Sequence, residues 1–116
     1  MASRRFGGRY VKISAATNGD NELVAAATQG IIVVLNFLLV GGGTVTAKFQ
    51  SSAGAGATDL TGAMPLVAQT VVPPGEAPEY GHFHTVAGES LNLNLSAGVQ
   101  VSGWLVYDVV RSDYPF

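Results

Sequence analysis

Apolar and polar residues alternate with period two along most of the chain, while the i, i+3, i+4 spacing of an amphipathic helix barely appears. The clearest alternation is Leu91-Asn92-Leu93-Asn94-Leu95-Ser96, which points three leucines at a core and three polar side chains at solvent. The same reading predicts strands at Arg9 to Ser14, Glu22 to Ala27, Ile31 to Val40, Thr44 to Ser51, Met64 to Val72, Phe83 to Val86, Ser90 to Leu95 and Val99 to Val110. Turn chemistry separates them: Thr17-Asn18-Gly19-Asp20, Gln29-Gly30, Ala87-Gly88 and Ala97-Gly98, with Gly41-Gly42-Gly43 expected as a hairpin turn. Ala53 to Thr61 is small and polar enough to be an exposed loop, and three prolines between Pro73 and Pro78 exclude a central strand there. About eight short strands with Gly, Asn and Pro connectors predict an all-β protein, a jelly-roll-like two-sheet sandwich or a small barrel.

Two strands are apolar on both faces. Ile31-Ile32-Val33-Val34 is β-branched throughout, as in strands covered from both sides. Its apolar run of ten residues to Val40 is half the roughly twenty that a membrane-spanning helix needs, so no membrane partner is expected. In the last strand Val99, Val101, Leu105, Tyr107 and Val109 alternate with Trp104, Val106 and Val110. One set fills the core, and the set led by Trp104 needs a second cover, either at the rim of its own core or on a neighbouring subunit.

Composition sharpens that expectation. Only 12% of the 116 residues are charged, about half the usual fraction, which points to surface covered by other subunits. The length fits one domain and excludes multidomain enzymes. With no cysteine, disulfides, thiolate nucleophiles and Cys-based zinc sites are excluded too. Arg4, Arg5, Arg9 and Lys12 hold four of the six basic charges; beyond them two basic residues face eight acids, a balance of −6. The chain therefore divides into a basic arm, residues 1–12, and a single β domain, residues 13–116. Arg4, Arg5 and Arg9 are candidates for docking on an acidic protein surface. Four charges without a groove or stacked aromatics do not make a nucleic-acid site. Met1 to Gly8 also lacks the apolar core of a secretory signal.

Candidate chemistry is sparse. His82 and His84 share one strand face, and Glu89 follows four residues beyond His84, so the three are candidate metal ligands of a cupin-like site. The glycines that motif requires are replaced by Glu76 and Ser96, and the chain has only two histidines, so no metal or other cofactor is expected. No Gly-x-Ser-x-Gly elbow is present, Glu76 and Glu79 flank a proline in a loop, and the triple glycine does not open a helix. No catalytic residue is assigned and enzymatic activity is not expected.

Several stretches resemble small virion proteins of tailed phages, of the head-decoration or cement type. They are Ile13-Ser14-Ala15-Ala16-Thr17 with Gly19-Asp20-Asn21, Gly43 to Phe49, Thr58 to Leu66, Gly88 to Leu95, and Val101-Ser102-Gly103-Trp104-Leu105-Val106-Tyr107. The likeness spans residues 13–107, and His82-Phe83-His84 departs from it. The resemblance implies a non-enzymatic β-protein, often a homotrimer with a dimer as the alternative, that binds the major capsid protein on the outside of the head and reinforces the shell. A tail, collar or host-attachment module is the alternative within the same fold, and a small cupin-like metalloprotein the alternative outside it.

Overall fold

A computed structural model describes residues 8–53, 56–75 and 81–111. It contains ten strands and, among the described residues, no helix: β1 Arg9–Ala15, β2 Gly19–Val24, β3 Gly30–Gly41, β4 Val45–Ser52, β5 Ala57–Asp59, β6 Met64–Leu66, β7 Val71–Val72, β8 Phe83–His84, β9 Ser90–Leu95 and β10 Val101–Arg111. They form two antiparallel sheets. Sheet A runs β1-β10-β3, with β7 and β8 both on the far edge of β3. Sheet B runs β2-β9-β4, with β5 and β6 both on the far edge of β4. Each edge pair occupies one strand position, so ten segments fill eight places. The order is that of a jelly roll, in which successive strands alternate between facing sheets. It is an open sandwich rather than a closed barrel.

The two inner faces supply the core. Sheet A contributes Ile13, Ile32, Val34, Leu39, Val101 and Leu105; sheet B contributes Val45, Phe49, Leu66, Leu91, Leu93 and Leu95. The three leucines of β9 thus point inward as their alternation predicts. Asn92 differs from the expectation that it faces solvent. It lies between Glu22 and Gln50 on the outer side of sheet B, is buried, and accepts a hydrogen bond from Ser90 Oγ at 3.1 Å. Phe49 centres the aromatic packing, with its ring centroid 5.0 Å from Phe37 and 5.2 Å from Phe83.

Four connections differ from the sequence expectation. Gly42–Thr44 is no hairpin turn, because β3 and β4 belong to different sheets; it is a corner, closed by the Gly42 N–H donating to the Gln100 carbonyl at 2.8 Å. The strand expected from Met64 to Val72 breaks into β6 and β7, one in each sheet. The break is fixed by Gln69, at φ 69°, whose N–H donates to the Gly41 carbonyl, while the Gly41 N–H donates to Thr70. The loop expected from Ala53 to Thr61 holds the short β5, pinned by Gln50 Nε2 and Lys48 Nζ, both donating to the Asp59 carboxylate at 2.7 and 3.2 Å. The second strand begins at Gly19 and ends at Val24, since Asn21 ties the corner down: its Nδ2 donates to the carbonyls of Thr17, Gly19 and Leu93.

Candidate interaction surface

The register fixes which side chains leave the sandwich on each side, because opposed residues in a ladder share a face. On sheet B the outward residues are polar: Asp20 and Glu22 on β2, Ser90, Asn92 and Asn94 on β9, Lys48 and Gln50 on β4. They satisfy one another. Asn94 Nδ2 donates to Asp20 Oδ1 at 2.7 Å, and Lys48 forms an ion pair with Asp59 at 3.2 Å. The Gln50 and Lys48 hydrogen bonds hold the Asp59 carboxyl below the ordinary aspartate range.

Sheet A is the opposite. Opposed outward positions are Tyr10, Val106 and Asn36, then Lys12, Trp104 and Leu38, then Ser14, Ser102, Val40 and Val71; the Asn36 Oδ1 accepts from the Gly75 N–H at 3.2 Å. Toward the other end Asp108 pairs with Val33 and Val110 with Ile31. Ile31 and Val33 are buried, the latter beneath the chain at Gly81. The remainder is open: Tyr10 is 69% and Val71 52% exposed, and Trp104, Val106, Leu38 and Val40 are half-buried. A bulge between Val106 and Tyr107 in the β10–β3 register leaves Leu35 without a partner and adds it to this apolar face. Gly8 reaches the same face: a Cβ there would lie 2.9 Å from Val106 Cγ1 and 3.3 Å from Leu35 Cδ1.

Trp104 therefore sits at the middle of an apolar surface, on the side opposite the core, as its alternation predicts. Arg9 opens β1 and is exposed, opposite Tyr107 at the rim. Arg4 and Arg5 lie outside the described residues, as do Glu76 and Glu79. Tyr10, Leu38, Val40 and Val71 were not singled out by sequence. The first three are readable from strand parity once the core set is known; Val71 is not, because its strand is set by the break after Leu66.

The metal candidates do not converge. His84 is exposed on the outside of sheet A, where its Nδ1 lies 2.9 Å from the Thr85 carbonyl oxygen. The ring of His82 packs edge-on toward Phe37. Glu89 turns to the end of the core, where its Oε1 accepts from Ser51 Oγ at 2.6 Å. Among the described residues no three His, Cys, Asp or Glu side chains are grouped to hold an ion. His82 precedes β8 and lies beside Phe37 while His84 faces outward, and the turn at Gly88, φ 79°, separates Glu89 from both in the chain.

No protein-family model matches the sequence, and none of the curated proteins matches it. Among solved structures, the chain is similar to one in the structure of infectious bursal disease virus Gx strain, at 15% sequence identity and a TM-score of 0.36, over 93% of this chain and 33% of that one. The protein spans about a third of the length of the chain it matches.

Proposed function

We propose that this protein is a structural component of a virion, a decoration protein that binds the major capsid protein on the outside of a tailed-phage head and acts without catalysis. The observation that carries this reading is the unequal pair of outer faces. A jelly-roll sandwich with one hydrogen-bonded polar face and one apolar face is built to be covered on one side. The low charge content and the resemblance of residues 13–107 to head-decoration proteins support the same assignment. Each copy adds modest contacts, and the symmetry of a shell multiplies them. Copies act as a small oligomer, and Arg4, Arg5 and Arg9 supply salt-sensitive contacts to acidic shell surface.

The test is addition of the purified protein to undecorated heads. Saturable binding that raises the temperature at which the heads release DNA is the expected result. Removal of residues 1–8 together with Arg9→Ala leaves most of β1 in place and should weaken binding most at low salt. Binding to tails in place of heads would assign the chain to a tail or collar, and no binding to either would overturn the virion reading.

A further inference from the structure

We propose that the outer face of sheet A is where two copies of this chain meet, stacked sheet on sheet across a two-fold axis. The inference rests on the same apolar face that supports the proposed function, and it assigns the cover of that face to a second copy of the chain. Three observations carry it. The face is apolar along its centre, from Val71 and Val40 through Leu38 and Trp104 to Val106 and Tyr10. Its open part is three outward rows, those of Ser102, Trp104 and Val106, about 14 Å along strands three to four wide, and along β10 the face continues through Asp108 and Val110. Sheets already pack in this manner inside the sandwich, so the second face repeats a geometry the chain is made for.

Charge selects a second copy as the occupant. Among the described residues, the only Lys, Arg, Asp or Glu side chains on this face are Lys12 and Asp108. Lys12 stands level with Trp104, four residues along β10 from Asp108, a separation of about 14 Å that prevents them from pairing within one chain. Neither forms an ion pair among the described residues; the Asp108 carboxylate accepts only the neighbouring Val109 N–H, at 2.9 Å. A two-fold axis in the plane of contact, crossing the strands at the level of Val106, brings the Lys12 level of one copy onto the Asp108 level of the other. The Lys12–Asp108 match then occurs twice, once on each side of the axis, as an isologous interface requires. An unrelated apolar partner would leave both desolvated and alone.

Sedimentation velocity on the full chain tests this without any capsid. The protein should sediment as a dimer at micromolar concentration. Lys12→Asp or Asp108→Lys alone should weaken the dimer by about tenfold or more, since like charges then face each other, and the two together should restore it. Trp104→Lys should give a monomer whose strand circular dichroism is unchanged. A wild-type monomer would overturn the proposal. So would a dimer indifferent to the charge reversals, or a monomer in which removing residues 1–7 exposes Trp104 fluorescence to quencher, which would assign the face to the chain's own leader. Capsid binding is scored separately, so loss of one result leaves the other standing.

Discussion

Gly103 occupies a point where β10 and β3 come too close for any side chain. It lies in register between Ile13 and Leu39, has φ 147°, and a Cβ built there would run into the Leu38 carbonyl oxygen and come within 2.8 Å of its carbon. Both the conformation and the space demand glycine. Gly103→Ala should destabilise the fold by about 3 kcal/mol, read as a fall of roughly 10 °C or more in thermal midpoint. Asp59 is a different kind of position, held by hydrogen bonds rather than by packing. Gln50 and then Lys48 depress its pKa, so the contribution of these contacts is present above the ordinary carboxylate range and is lost as pH falls through the depressed value. The protection of β5 amides, taken relative to the intrinsic exchange rate at each pH, should therefore fall on acidification, and Asp59→Asn should remove that dependence. Neither role is visible in sequence: a glycine beside a tryptophan and an aspartate in a polar loop have no local signature of what lies across the sheet.

At the scale of elements, the short strands depend on single side chains more than on ladders. β8 has two residues and would end at His84, but Thr85 continues its attachment to β3. Its N–H donates to the Ile32 carbonyl at 2.9 Å and its buried Oγ1 accepts from the Ile32 N–H at 3.0 Å. Thr85→Val keeps the shape and removes the acceptor. The cost should be about 1–3 kcal/mol, with faster hydrogen exchange at Ile32 as the specific readout. The long strands were legible for two reasons: β4 and β9 alternate with period two for six residues or more, and β3 and β10 are long apolar runs rich in β-branched and aromatic side chains. The breaks were not. Met64 to Val72 reads as one strand because Gln69 is forced into positive φ by hydrogen bonds to Gly41, a residue far away in sequence. Likewise the three glycines after Val40 mark a turn of some kind, yet whether the chain folds back in one sheet or crosses to the other is decided by the partners β3 and β4 find.

For the whole molecule, the division that matters lies between two outer surfaces rather than between inside and outside. Apolar residues on both faces of the first buried strand and the last one already implied a second cover, and the structure joins them as neighbours in a single sheet, so that the coverless sets merge. Trp104 is reached by strand parity alone. His82, His84 and Glu89 are close in sequence, but a turn with positive φ at Gly88 lies between the histidines and Glu89. The capsid-binding and sedimentation experiments both probe this scale, one asking what the molecule attaches to and the other what its apolar side meets first.

The four fragments along the far edges have a consequence for aggregation. β5 and β6 have three residues each, and β7 and β8 two each, so a foreign strand arriving at either edge meets an interrupted ladder. On the near side β2 is bulged between Glu22 and Val24. Among the described residues this leaves β1, seven residues in unbroken register, as the long regular edge. Fibre growth by strand addition needs two receptive edges on every copy, one to receive and one to offer. A molecule with a single such edge closes after one addition, so pairing at β1 ends at two copies and does not propagate.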